Sequence, residues 1–299
     1  NDENFIKVKA QCQIFSAGDA NILICGETGT GKEVLARAIH NESFRKNRPF
    51  VSVMCGGTVD TIVEKELFGD SLLLSSDTEI GKVELAEGGT LFIDEIGDLT
   101  LRLQGRLMNV LKKQKEYNLR IISTTSKNLK SMVDHGEFRK DLYYSLETFS
   151  ITIPPLRQRK SDIILLANYF LEKYNRLEGK EVKLGQGVYE VFTKYAWSGN
   201  VREIENVMSF IVSTHNTNHL VGVKELPNKL QDWRINDNAG QYNLEKIEKE
   251  TIIKALNAFG NSTEAKKQIA KELGISNATL YRKLKKYDII EIVQFDSQN

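Results

Sequence analysis

Cysteine is scarce. Cys12, Cys25 and Cys55 are the only three among 299 residues, with neither CxxC spacing nor even pairing. That excludes a disulfide framework and a thiolate zinc site, and it fits a reducing cytoplasm. Proline is also scarce, at four, and 27% of the residues are charged, which excludes collagen-like, mucin-like and largely disordered chains. Apolar runs are short. The longest, Ile163 to Leu171, is interrupted by Asn168 and falls far below the roughly 18 residues of a membrane span, so it reads as a core helix. No Lys- or Arg-led apolar segment opens the chain, so no secretory signal is visible, and the missing initiator Met reads residue 1 as a cut site. An excess of one charge is lacking too: 41 Lys plus Arg face 40 Asp plus Glu, a net +1. The total hides an uneven distribution, because residues 263–288 carry seven basic and three acidic residues, a net +4. His215 and His219 lie four apart, but no carboxylate or third ligand stands nearby in sequence, which weighs against a metal there.

What is present begins with a short apolar run, residues 21–25, of buried-strand type. Gly26-Glu27-Thr28-Gly29-Thr30-Gly31-Lys32-Glu33 follows, and then Val34, Leu35, Ala38 and Ile39 at helical spacing. Strand, glycine loop and helix is the context of a P-loop, whose backbone N–H groups curl around a triphosphate beside the positive helix end. Lys32 would reach the β- and γ-phosphates. Glu33 stands where a Ser or Thr hydroxyl usually ligates Mg²⁺. About 60 residues on, Gly88-Gly89-Thr90 leads into Leu91-Phe92-Ile93-Asp94-Glu95, an apolar strand ending in two carboxylates. Asp94 can hold Mg²⁺ and Glu95 can polarise an attacking water, so the two motifs together predict an ATP site.

The basic module has its own pattern. Ile252, Ala255, Leu256 and Phe259 line one helix, closed by Gly260-Asn261. Ser262 or Thr263 caps a second with Ala265, Ile269 and Leu273 inward. Gly274-Ile275-Ser276 turns the chain into a third, which buries Leu280, Leu284 and Tyr287 and shows Asn277, Thr279, Arg282, Lys283 and Lys286 outward. Two short helices about a Gly turn, the second basic, describe a helix-turn-helix for double-stranded DNA. Asn277, Thr279 and Arg282 would meet base edges, while Lys283, Lys285 and Lys286 would pair with phosphates.

In its ordered motifs the chain resembles the AAA+ domain of bacterial enhancer-binding proteins, the sigma-54-type transcriptional activators. The likeness rests on Gly26–Glu33, Glu66-Leu67-Phe68-Gly69, Glu84-Leu85-Ala86, Gly88–Asp98, Phe138–Tyr144, Ile153–Arg157, Trp197–Glu203 and a Fis-like helix-turn-helix. It implies an α/β fold: a parallel-sheet P-loop core flanked by helices at 1–157, a helical lid at 158–235, a linker at 236–243, an all-α DNA module at 244–290 and a tail at 291–299. It also implies assembly with itself, from dimer to ring. Carried over by resemblance, Arg139 is an arginine finger toward a neighbouring subunit's γ-phosphate, and Arg202 is a lid arginine that senses nucleotide.

Several positions depart from the family. Where relatives carry Gly-Ala-Phe-Thr-Gly-Ala against sigma-54, residues 70–80 read Asp-Ser-Leu-Leu-Leu-Ser-Ser-Asp-Thr-Glu-Ile. Residues 112–118 pass almost directly into the next strand, where relatives insert a longer hairpin. Met54 replaces an Asn that bonds the catalytic Glu, Ser126 stands at the sensor Asn, and Ser145 replaces a second arginine finger. These departures predict a cytoplasmic, ATP-binding, DNA-binding regulator that works apart from sigma-54 with weak or no hydrolysis. Two alternatives stand beside it. One is an active ATPase remodelling RNA polymerase through Leu72–Leu74, and the other a decoy subunit of an intact paralogue. No membrane partner is expected.

Overall fold

The computed structural model describes residues 2–69, 80–231, 244–260, 262–287 and 289, in two compact units, 1–226 and 227–299. The linker and tail expected at 236–243 and 291–299 lie outside the described residues, as does the altered segment 70–79.

In the first unit a five-stranded sheet is built from β1 (Ile22–Cys25), β2 (Phe50–Met54), β3 (Thr90–Asp94), β4 (Arg120–Thr125) and β5 (Phe149–Thr152). Its order is β2-β3-β4-β1-β5, and every pairing is parallel. Parallel strands need helical crossovers, so both faces are covered and the strands are apolar on both sides. Alternation sorts the side chains. Ile22 and Ile24 of β1 pack with Val8 and Cys12 of α1 (Glu3–Ser16) and with Leu35 and Ile39 of α2 (Lys32–Asn41). Leu23 points the other way, among Val63 of α3 (Asp60–Phe68), Leu103 and Leu107 of α5 (Leu101–Lys112) and Leu142 of α7 (Lys140–Leu146). Between these lie α4 (Lys82–Leu85) and α6 (Leu129–Asp134).

At the end where the strands begin, Arg45 gathers their entries. Its guanidinium donates to Asp19 Oδ1 and Oδ2 at 2.8 Å each, to the Gly89 carbonyl at 3.1 Å and to Asn118 Oδ1 at 2.9 Å. Those residues stand just ahead of β1, β3 and β4. Asn118 takes a left-handed φ of 45°, closing the short 113–118 turn that stands in place of a hairpin.

The lid comprises α8 (Lys160–Glu178), β6 (Lys183–Leu184), α9 (Gln186–Lys194), α10 (Asn200–Thr214) and β7 (Leu220–Val221). Trp197 is its buried pivot: edge-on to Phe192 and Tyr195, it donates its indole N–H to the Phe192 carbonyl at 2.7 Å. Among the described residues no helix is long and apolar enough to cross a membrane.

The second unit holds α11 (Asn228–Gln231), α12 (Leu244–Phe259), α13 (Thr263–Glu272) and α14 (Asn277–Lys286). Ser262 and Ser276 cap the last two helices, accepting from the N–H groups of Ala265 and Thr279 at 3.1 Å each. Ile252, Leu256, Ile269, Leu280 and Leu284 form the core. Phe259, expected inward, is 44% exposed, because it is the last residue of α12 and the chain turns away at Gly260, whose φ is +88°.

Candidate nucleotide site and DNA-reading helix

The nucleotide site is assembled at the end where the strands finish. The Gly26–Gly31 loop leaves β1 and ends on α2. Gly29 and Gly31 adopt φ of +80° and +98°, which L side chains rarely adopt. At Gly29 space is short as well, since a Cβ there would lie 2.3 Å from the Gly199 carbonyl of the lid. Thr30 folds the loop on itself, its hydroxyl donating to the Glu27 carbonyl at 2.7 Å. Lys32 is 7% exposed and donates to the Gly26 carbonyl at 2.9 Å. Its ammonium also pairs with Glu95 Oε1 at 2.8 Å, so the lysine expected to bind phosphate and the carboxylate expected to polarise water share one spot. Glu33, on the first turn of α2, turns outward to Arg37.

Asp94 and Glu95 close β3. Between them sits Thr124 of β4, which sequence reasoning did not single out. Its buried hydroxyl donates to Asp94 Oδ1 and accepts from the Glu95 N–H at 3.0 Å. Glu95 is held in the left-handed region at φ +54°, a conformation costing an ordinary residue about 1–2 kcal/mol. Ser126 fixes its side chain, the backbone N–H and Oγ reaching Oε2 at 2.7 and 2.9 Å. Burial alone would raise the Glu95 pKa, but Lys32 and these two donors together hold it below the ordinary carboxylate range. Met54, beside Asp94 in the register, is 61% exposed.

The lid completes the cradle. Val201 and Arg202 at the start of α10 give their N–H groups to the Gly29 carbonyl at 2.9 and 3.3 Å. Asn200 Nδ2 donates to the Thr28 carbonyl at 3.0 Å and to Glu27 Oε2 at 3.2 Å, and Arg159 reaches the Thr30 carbonyl at 3.1 Å. Arg157 forks onto both Glu27 oxygens, at 2.7 and 2.5 Å, and with Asn200 lowers the Glu27 pKa to about 2. Glu27 thus serves the loop as a brace to the lid. The Arg202 guanidinium is exposed and has no hydrogen-bond or ion-pair partner among the described residues.

Arg139 is not gathered into this cluster. It begins α7, its N–H held by Oε1 of buried Gln104 at 2.8 Å and its exposed guanidinium paired with Asp141, whose pKa it lowers. Ser145, on the same helix, donates its hydroxyl to the Asp141 carbonyl at 2.8 Å.

On α14, Asn277, Ala278, Tyr281, Arg282 and Lys285 are exposed together, as their one- and four-residue spacings require. Ala278 and Tyr281 were missing from the expected reading set, although Asn277, Tyr281 and Lys285 repeat every fourth residue. Thr279 is half-buried and bonds the Ser276 hydroxyl. Lys283, expected outward, departs from that reading. Its ammonium pairs with Glu248 of α12, which also accepts from the Tyr287 hydroxyl at 2.7 Å, because position 283 falls one turn before half-buried Tyr287 on the inner flank. Lys286 is exposed and lies over the Tyr287 ring.

Strand, glycine loop and helix, joined to a neighbouring strand that ends in paired carboxylates, define a P-loop nucleotide-binding domain, here with a helical lid and a helix-turn-helix unit. The chain belongs to the sigma-54 activator family: profiles described as the sigma-54 interaction domain, the AAA+ ATPase lid domain and the bacterial regulatory protein, Fis family, match residues 1–152, 157–242 and 243–287. It is 37% identical over 301 residues to a candidate uric acid sigma-54-dependent transcriptional regulator, UacR, of Escherichia coli K12, covering 91% of this chain and 50% of that one. It is 37% identical over 294 residues to the alginate biosynthesis transcriptional regulatory protein AlgB of Pseudomonas aeruginosa, covering 92% and 64%. Among solved structures, NtrX of Brucella abortus in complex with ATP superposes with a TM-score of 0.71 at 28% identity, covering 96% of this chain and 68% of that one. NtrX has also been solved with ADP. The chain spans about half the length of the first curated relatives it matches.

These likenesses overturn the expectation of a regulator working apart from sigma-54 with little or no hydrolysis. The sigma-54 interaction profile runs across the altered segment, and the similar NtrX has been captured with both ATP and ADP. The geometry supplies a physical reason for the correction. Losing the Asn at position 54 does not leave Glu95 unheld, because Ser126 binds it twice.

Proposed function

We propose that this chain is an ATP-hydrolysing activator that assembles with itself, reads double-stranded DNA through α14 and remodels RNA polymerase holoenzyme through a divergent loop at residues 70–79. The observation that carries this is the meeting of Lys32 and Glu95 at 2.8 Å, with Glu95 aimed by Ser126. A triphosphate in the loop competes for the Lys32 ammonium and frees Glu95 to take the proton of an attacking water. Asp94, with one oxygen on Thr124, fits a Mg²⁺ ligand. An ion held there would supply positive charge to offset that of the phosphates. Arg139, exposed at the start of α7, suits a γ-phosphate bound by a neighbouring copy, and the unpaired Arg202 suits one bound by its own loop.

Coupling to the polymerase falls to Leu72–Leu74, apolar residues in place of the family's Phe and Thr. The domain limits follow as core 1–157, lid 158–235 and DNA module 244–290, and a DNA-reading unit of this kind works in the cytoplasm. The test is turnover of the purified chain against Glu95→Gln. ATP affinity stays within a few-fold while turnover falls by roughly 10²–10⁴, the range for a lost general base. Equal turnover in the two proteins would remove the ATPase reading.

A further inference from the structure

The lid carries a second cluster of ligating side chains, outside the nucleotide site. His215 follows α10, His219 precedes β7, and Glu225 lies in the 3₁₀ turn Val223–Glu225. The two rings stack, with centroids 4.7 Å apart and planes 21° from parallel. Glu225 Oε1 lies 2.8 Å from His219 Nε2 and 3.6 Å from His215 Nε2. The three ligating atoms all fall within 4.8 Å of one another. The carboxylate missing from the immediate sequence neighbourhood of the histidine pair is supplied by the turn after β7.

We propose that His215, His219 and Glu225 form a binding site for a divalent transition-metal ion of the zinc class. Bonds of about 2.0–2.1 Å at tetrahedral angles separate neighbouring donors by roughly 3.3 Å, within the spread seen here. The supporting contacts are in place as well. Nδ1 of His215 lies 2.8 Å from the Ile211 carbonyl, so its N–H points there and Nε2 presents its lone pair to the cluster. Glu225 Oε2 accepts the Gly222 N–H at 2.7 Å, which aims Oε1 at the two rings. The side chains are 14%, 39% and 39% exposed, so the site is open on one side and a water can fill the fourth position. His219 moves its ring proton to Nδ1 when Nε2 binds the ion. Two imidazoles select against Mg²⁺, which prefers oxygen, so this site and the nucleotide's magnesium do not compete. A bound ion ties the end of α10 to the segment around β7, stiffening that end of the lid.

The test uses the full chain without a histidine tag, stripped with a chelator and kept free of nucleotide. It is titrated with zinc chloride, and with cobalt chloride for its visible absorption. The expected result is one ion per chain, a tetrahedral cobalt spectrum and a thermal midpoint that rises with zinc. His219→Gln, at a half-exposed position that leaves the fold intact by circular dichroism, lowers affinity by roughly 10–100-fold, and Glu225→Gln does likewise. Absence of stoichiometric binding, or zinc affinity unchanged in His219→Gln, overturns the proposal whatever the ATPase assay shows.

Discussion

Glu95 shows how a single carboxylate is held in place although Met54 beside it offers no hydrogen bond. Its two oxygens are divided between Lys32 and Ser126, and its backbone N–H is taken by Thr124. Ser126→Ala removes the hydroxyl and keeps the backbone donor. A hydrogen bond to a charged group is worth roughly 1.5–3 kcal/mol, so turnover should fall by at least about tenfold with ATP affinity unchanged. Steady-state kinetics beside equilibrium nucleotide binding checks this; equal losses in both would mean that Ser126 shapes the loop instead. Gly29 offers a second test. Gly29→Ala meets both a left-handed backbone and the Gly199 carbonyl, whereas Gly31→Ala meets only the backbone, having open space around its Cβ. Thermal melts and ATP titrations should therefore show Gly29→Ala as the more damaging of the two, chiefly through loss of lid docking.

At the scale of elements, much was legible in the sequence. Glycine placement and the apolar run at 21–25 announce strand, loop and helix, and the Ser262 and Ser276 caps announce α13 and α14, because those signals are local. Contacts between distant residues were not legible. Thr124 is 30 residues from Asp94, and Lys283 is 35 from Glu248. Nothing in the pattern of α14 alone marks Lys283 as spent within the module while Lys285 stays exposed. The two lysines should therefore separate in DNA binding. Lys285→Ala lowers the slope of log affinity against log salt by about one, the signature of a lost phosphate contact. Lys283→Ala leaves the slope nearly unchanged and lowers the thermal midpoint. Binding isotherms at several salt concentrations distinguish them, and a full unit lost with Lys283→Ala would show that it leaves Glu248 for the phosphate.

Over the whole molecule, the nucleotide loop is gripped by Arg157 just ahead of the lid and by Arg159 and Asn200 within it, and the most acid-sensitive part of that grip is Glu27. Its pKa is lowered to about 2 from an ordinary 4.5. A carboxylate depressed on folding contributes stability that is present above its unfolded pKa and is lost as pH falls toward its folded one. The difference in melting temperature between the native chain and Glu27→Gln should thus be constant above about pH 5 and shrink steadily below 4.5. Scanning calorimetry across pH 3–7 reads it, and a difference that grows on acidification would contradict the assignment. The family and the layered architecture were readable from ordered motifs. The DNA module was readable from its local charge. The correction on sigma-54 and hydrolysis came from the likeness to known activators, which three substituted positions, taken singly, could not reveal.

The Arg45 clasp gives the sheet two ends with separate duties. Where the strands begin, one guanidinium draws Asp19, Gly89 and Asn118 together. Where they finish lie the glycine loop after β1, the paired carboxylates at the end of β3 and the path from β5 to the lid. Among the described residues the clasp makes no contact with the glycine loop or the paired carboxylates, so it fixes the frame independently of them. The same division makes the starting end the natural place for a label or graft that must leave turnover alone.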